Sequence, residues 1–349
     1  MVAISEVRGQ LPNIKNLGSG LVAVFVGGTS GIGLSTAREF TRYATAPHIY
    51  LIGRNEAQAS EIISELRTVN QSATIDFIKS DISLLKNVDT TCREIAQKES
   101  KVNLLFLSAG ILTTQGRTGE YLPHFTHPFT PTQHEIETPE GLDRKLSLHY
   151  YARMRFADNL LPLLNQAASS DRLARVVSVF SPGNEGKLIE NDLDLRNNYS
   201  LSNAAAHGCT MTSLYMAQLA AAHPNISWVH SRPGAVNTNV TREFNPLVRG
   251  LTNALFVLTP LLSSVGLISV KESGERHAYA ATSPLFAPRV KGVDTVGTDG
   301  AKGSGAYRVD YDSSIVKAKS ELVKGYLGSG VGKKVWEHTR DMYAKATGN

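Results

Sequence analysis

A doubly wound parallel sheet, clothed by helices on both faces, is the fold class that this chain predicts. Three observations carry it. Apolar runs of strand length alternate with helical patterns through the first two-thirds of the sequence. The first run ends in spaced glycines that open a helix. From about residue 245 the alternation stops. Repeated β-α-β units require parallel strands covered on both sides, a three-layer α/β/α, Rossmann-like sheet that binds ligands at its strand C-termini. The expected organisation is one such domain over residues 1–244, with a long inserted loop at 113–140. Residues 245–349 form a C-terminal helical and hairpin extension on the same domain, a lid or a subunit contact.

The elements follow in order. Leu21–Val26 (LVAVFV) is a buried strand, and Leu34–Phe40 continues the helix that the glycines open. His48–Ile52 is the second strand; Asn55 then caps a helix whose inner side carries Ile62, Ile63, Leu66 and Val69. Strands at Thr74–Lys79 and Val102–Leu107 flank a helix near Leu84–Lys98. A longer helix, Gly141–Gln166, precedes strand Arg175–Val179, and helix Ala204–His223 leads to strand Ile226–His230. The tail holds an apolar segment, a Gly-rich hairpin-like stretch (292–311) and a terminal helix around Lys334–Ala346. No internal repeat or low-complexity tract is present.

Composition narrows the function classes. With 349 residues, 42% hydrophobic and 19% charged, the chain has enough apolar content for a full globular core. Its net charge of +5 is spread out, without a basic block or an interleaved aromatic platform, which argues against nucleic-acid binding. Cys92 and Cys209 make neither a disulfide framework nor a metal spacing, so reduced thiols in a cytoplasmic protein are expected. The N-terminus has no apolar core of signal-peptide length. Leu251–Val270 is twenty residues without a charge, long enough to cross a bilayer. Its Asn253, Pro260, Ser263 and Ser264 favour a buried, lid or subunit-contact helix over membrane-surface contact, and a true span ranks last.

The chemistry begins at the glycines. Gly27, Gly31 and Gly33, with Thr29, Ser30 and Ile32 among them, stand between strand and helix as a dinucleotide phosphate loop does. The first glycine allows a tight turn, the second lets backbone approach phosphate, and the third lets helix pack on strand. The helix N-terminus then offers free N–H groups to the anion. About twenty positions on, an acidic residue would bind the ribose hydroxyls of NAD. Arg54 stands there instead, suited to a 2′-phosphate, so NADP(H) is the expected cofactor, with Asn55 beside it.

Further stations match in order: Asp81-Ile82 after the third strand, Ser108-Ala109-Gly110 after the fourth, and Arg232-Pro233-Gly234-Ala235-Val236-Asn237-Thr238 after the sixth. Over roughly Leu21–Thr238 the chain resembles the short-chain dehydrogenase/reductase superfamily, and residues 141–164 with the Gly-rich tail resemble fungal members tied to specialised metabolism. The resemblance implies that Asp81 contacts the adenine, that Ser108–Gly110 lies beside the cofactor, and that Pro233, Gly234, Val236 and Thr238 lie near the nicotinamide. It also implies a homo-oligomer, a dimer or tetramer. In that superfamily a Ser, a Tyr and a Lys four residues after the Tyr perform the proton transfer. Ser181 matches the serine. Matching the next helix by its Leu219-Ala220 end puts Ala205 and Cys209 at the Tyr and Lys stations, and His149 where a supporting Asn is usual. The candidate catalytic residues are therefore Ser181, Tyr199, whose phenol sits in the loop entering that helix, and His149. Tyr199 or a bound water is the expected proton donor. An anchoring role for Tyr199 and a hydrogen-bonded interior role for His149 stay open beside these.

The stretch Thr113–Glu140 carries His124, Phe125, His127, Phe129 and His134 among four prolines. Its length and aromatic content predict a lid over an apolar substrate. Its histidine spacing matches no helical ligand pair, so no metal is expected. The leading expectation is an NADP(H)-dependent oxidoreductase of an apolar small molecule with a non-standard proton donor. A non-redox cyclase or isomerase in a repurposed pocket is the alternative, and reduction of an iminium carbon would need no Tyr at all. A cofactor-binding sensor without turnover ranks last.

Overall fold

A computed structural model describes residues 1–113, 116–117, 138–238 and 266–348. After helix α1 (Ile4–Gln10) and a 3-10 turn, Leu11–Leu17, strand β1 (Val22–Val26) leads through the glycines into α2 (Gly31–Tyr43). There follow β2 (His48–Gly53), α3 (Glu56–Val69), β3 (Thr74–Lys79), α4 (Leu85–Lys98) and β4 (Leu104–Leu107). Then come α5 (Arg144–Leu146), a π-helical turn over Ser147–Tyr151, α6 (Ala152–Asn159), α7 (Leu161–Ser170), β5 (Arg175–Val179), α8 (Leu201–Ala222) and β6 (Ser227–Ser231). Short strands β7 (Ala235–Val236) and β8 (Leu267–Ile268) pair with each other. The chain closes with α9 (Val270–Thr282), β9 (Ala306–Val309), α10 (Ser320–Gly328) and α11 (Val331–Thr347).

Seven strands form one parallel sheet in the order β3-β2-β1-β4-β5-β6-β9. The order reverses between β1 and β4, which opens a crevice at their C-terminal ends. Alternation along β1 sorts the core. Val22, Val24 and Val26 pack with α4, α6, α8 and α11; Ala23 and Phe25 pack with α1, α2, α3 and α9. Both faces are covered, which is why β1 and β4 read as unbroken apolar runs.

Two sequence expectations need correction. The predicted helix Gly141–Gln166 is broken: residues before Arg144 are not helical, a π turn intervenes, and Leu160 leaves helical geometry (φ −91°, ψ 1°) just before Pro162 in the first turn of α7. Nor does the alternation end near residue 245. Strand β9, inside the Gly-rich stretch, pairs in parallel with β6, so β6-α9-β9 is one more crossover unit. The hairpin character survives just upstream, where Val296 and Lys302 form an antiparallel bridge. Among the described residues no helix is long and apolar enough to cross a membrane. The Leu251–Val270 segment, apart from its last five residues, lies outside the described residues, as do His124, Phe125, His127, Phe129 and His134 of the 113–140 stretch.

Candidate active site

A cleft opens over the C-terminal ends of β1, β2, β4 and β5, where the topological switch falls. Its walls include Gly27, Thr29, Ser30, Gly31, Ile32 and Gly33, then Arg54, Asp81 and Ile82. Ser108, Ala109 and Gly110 line it from β4, and Pro233, Gly234, Val236 and Thr238 from the loop after β6. The structure thus gathers these sixteen residues, with His149, in one place.

The loop is shaped for close approach. Gly27 has φ +86°, and a β-carbon on it would lie 2.7 Å from the Ala109 backbone nitrogen. At Gly33 a β-carbon would strike the Gly27 carbonyl oxygen and Ser108 Oγ. Ser30, at the N-cap of α2, makes no side-chain capping hydrogen bond, so the first-turn N–H groups keep their capacity for an anion. Arg54 is exposed on the cleft. Asp81 is partly engaged, accepting from Ser83 N (3.1 Å) and Ser83 Oγ (2.8 Å). An uncapped helix N-terminus, a glycine cradle and a cation beyond it fit a 2′-phosphorylated dinucleotide. Asn55 instead caps α3, accepting from Gln58 N at 3.2 Å, and is not among the described lining residues.

The inner end of the cleft is built on α5, α6 and β5. Arg153 is buried, and its guanidinium ties strand ends together. It donates to Leu148 O (2.9 Å), Ser178 Oγ (3.1 Å), Val179 O (2.6 Å) and Ala109 O (2.7 Å). Without a carboxylate to offset its burial, its pKa falls to about 9. His149, one helical turn earlier, stacks on Phe180 with ring centroids 4.7 Å apart and accepts the Ile111 N–H at Nε2 (3.3 Å). Desolvation, then the charges of Arg153 and Lys145, lower its pKa to about 3. The ring is therefore neutral, and with Nε2 accepting, its proton belongs on Nδ1.

Ser181 and Tyr199 are not among the described lining residues. Ser181 Oγ accepts from Asn184 Nδ2 at 2.6 Å, and its carbonyl accepts from Cys209 Sγ at 2.9 Å. Tyr199 packs against the larger core cluster with Lys145 Nζ 5.1 Å from its ring centroid, and burial raises its phenol pKa. Ala205 is exposed on α8, whereas Cys209 is buried and its thiol pushed well up by that burial.

Behind the Ser181 turn lies a buried polar network that sequence reasoning missed. Glu185 accepts from Gly183 N (2.7 Å) and Ser213 Oγ (2.9 Å) and pairs with Arg308 (3.1 Å). Ser213 Oγ also meets His230 Nδ1 at 2.9 Å. Glu185, Cys209 and His230 place ligand-type atoms within 4.8 Å of one another. The Arg308 guanidinium already neutralises the carboxylate there, and burial with nearby Arg153 and Arg308 drives His230 well below its ordinary pKa. That charge disfavours a metal dication. No spacing links residues 185, 213, 230 and 308; only the fold does. Arg153 had one faint signal, its place four residues after His149, one helical turn on.

Comparison with known proteins agrees with this geometry. The family model for short chain dehydrogenase matches residues 21–248. Oxidoreductase AN1596 of Emericella nidulans is 37% identical over 357 residues, covering 99% of each chain. Polyprenol dehydrogenase of Homo sapiens is 25% identical over 272 residues, 75% of this chain and 73% of its own. The crystal structure of L-sorbose reductase from Gluconobacter frateurii, complexed with NADPH and L-sorbose, aligns with TM-score 0.56 at 18% identity, over 86% of this chain and 97% of that one.

Proposed function

The chain belongs to the short-chain dehydrogenase family of oxidoreductases, and on that premise we propose that it is an NADP(H)-dependent enzyme acting on an apolar small molecule, without the usual Tyr-Lys pair. The observation that carries this is the composition of the cleft. It joins an uncapped helix N-terminus and Arg54 at one end to the neutral His149 at the other. Backbone N–H groups of the 27–33 loop hold the pyrophosphate, and Arg54 pairs with the 2′-phosphate. When bound, NADPH supplies a hydride to an electrophilic carbon. His149 donates Nδ1–H to the substrate oxygen and orients it, and water delivers the proton. Arg153 fixes the wall against which His149 leans.

Apolar substrate chemistry is supported by Ile111, Leu112, Leu148, Val179 and Phe180 along the inner cleft, Leu112 being 48% exposed there. The likeness to polyprenol dehydrogenase, named for a long apolar alcohol, points the same way. Helix α8 contains no lysine, which favours a proton path independent of a tuned phenol. The proposal includes a homo-oligomeric, cytoplasmic enzyme of specialised metabolism; the two buried free cysteines fit a reducing compartment.

Titration with NADPH and NADH, read by nucleotide fluorescence, tests the cofactor. NADPH should bind at least tenfold tighter than NADH, and Arg54→Ala should remove most of that difference; equal affinities would refute the assignment. In a screen of apolar ketones and cyclic imines, product should form with stoichiometric NADPH loss. His149→Ala should cost at least tenfold in kcat while leaving NADPH affinity within about twofold. Product without NADPH consumption would establish the cyclase or isomerase reading instead.

A further inference from the structure

The opposite end of β5 carries a second cavity, about 630 Å3 in volume. Val179, at the C-terminal end of the strand, lines the cofactor cleft; Arg175, at the N-terminal end, lines this cavity. They are four residue steps apart along the strand, about 13 Å. The second cavity is enclosed by the 3-10 turn after α1, the loop before β5, the C-terminal end of α9 and the turns over Pro284–Phe286 and Arg289–Lys291. None of these elements belongs to the cofactor cleft.

Its lining is two-sided. Ile14, Leu173, Tyr279 and Ala287 are buried and form an apolar floor. Arg172, Arg175 and Lys291 supply the only formal charges among the described lining residues, all positive. Arg175 is 4% exposed and has no carboxylate partner among the described residues. It donates to Ala280 O (2.9 Å) and Phe286 O (2.6 Å), and its Nε is buried without an acceptor. Burial alone lowers its pKa to about 10. A buried guanidinium ordinarily sits with an anion, since carbonyl dipoles offset only part of the desolvation cost. Nearby, Leu285 and Val290 stand 46% and 60% exposed in those same turns, apolar surface without a covering group.

We propose that this cavity is a second binding site, separate from the cofactor cleft, for an amphiphilic anion: a carboxylate or comparable acidic head carried on an apolar body. The head supplies the counter-charge for Arg175, with Arg172 and Lys291 at the entrance. The body covers the floor of Ile14, Leu173 and Tyr279. The volume lies within the range of small-molecule sites, roughly 300–1,000 Å3. This site stands whether or not the nucleotide assignment holds.

Dodecanoate, kept below its micellar concentration, is the probe, with dodecanol as the uncharged match. Calorimetric titration, with and without saturating NADPH, should give one dodecanoate site per chain that NADPH does not displace. Dodecanol should bind at least tenfold more weakly. Arg172→Glu combined with Lys291→Glu, at two exposed positions, should weaken dodecanoate at least tenfold and leave nucleotide binding unchanged. Arg175→Met should abolish the preference for dodecanoate over dodecanol; should that variant not fold, the double variant carries the test. No dodecanoate binding, equal affinity for the two probes, displacement by NADPH, or indifference to the double variant would each overturn the proposal.

Discussion

Gly33 illustrates how much a single residue decides. A methyl group there meets the Ser108 hydroxyl and the Gly27 carbonyl, and the carbonyl, being backbone, cannot retreat without moving the end of β1. Gly33→Ala should therefore weaken NADPH binding at least a hundredfold and cost about 1–3 kcal/mol of stability, measured by nucleotide fluorescence and urea unfolding. A variant that binds normally would show that the loop is not a phosphate cradle. His149 makes a prediction of a different kind. Its folded pKa of about 3 means that it stays neutral through the working range, so the pH profile of kcat should show no limb near 6.5. A limb there that disappears in His149→Gln would contradict the neutral-donor role. That the loop glycines and Arg54 meet on one cleft was legible because the strand-turn-helix spacing that brings them there is displayed directly by the sequence. Arg153 and Phe180 were not legible, because their roles depend on how the helix after the π turn packs against the end of β5.

Among the elements, α11 shows how the tail is fastened. Trp336 stacks on Tyr215 at 4.5 Å, Thr339 meets the Tyr150 hydroxyl at 2.6 Å and His338 meets the Tyr151 hydroxyl at 2.8 Å. Within this interface Tyr215 donates to Asp158 at 2.6 Å, yet burial raises the Asp158 pKa to about 6. An acid whose folded pKa lies above its unfolded value holds its proton longer when native, so its ionisation lowers stability as pH climbs from about 4 to about 6. Asp158→Asn, which mimics the protonated form, should gain about 1–2 kcal/mol at pH 8 and almost nothing at pH 4. Denaturant midpoints at the two pH values check this; an equal change at both would remove ionisation as the cause. The strands of the first two-thirds were legible because they are buried on both faces and bounded by helical periodicity. Strand β9 was not: it is four residues long, and glycines at 303 and 305 make its approach look like a loop. Its pairing with β6 is set by the crossover through α9, which no local pattern records.

For the whole molecule, the balance of buried titrating groups sets the acid response. Burial holds His207 and His230 below the ordinary histidine value, alongside His149 at about 3 and His277 at about 4. Between those values and about 6.5 the unfolded chain binds more protons than the native one, so stability is fully present above 6.5 and is lost as pH falls. Glu39, Asp143 and Asp158, raised by burial, oppose this over part of the window, but the four histidines outnumber them. The Tm should drop by several degrees between pH 7 and pH 5 in thermal melts. A flat or rising Tm would mean that the buried histidines are not held neutral.

The pairing of Arg308 with Glu185 has a consequence for biosynthesis. Ser231 in β6 and Val309 in β9 lie side by side in the sheet but 78 positions apart in the chain. During translation the nucleotide loop, β1 to β6 and the Ser181 turn all emerge before residue 308. Until it arrives, Glu185 lacks its cation and β6 lacks its outer neighbour, an open sheet edge. A chain that stops before residue 306 therefore lacks both the strand that covers β6 and the guanidinium that pairs with Glu185.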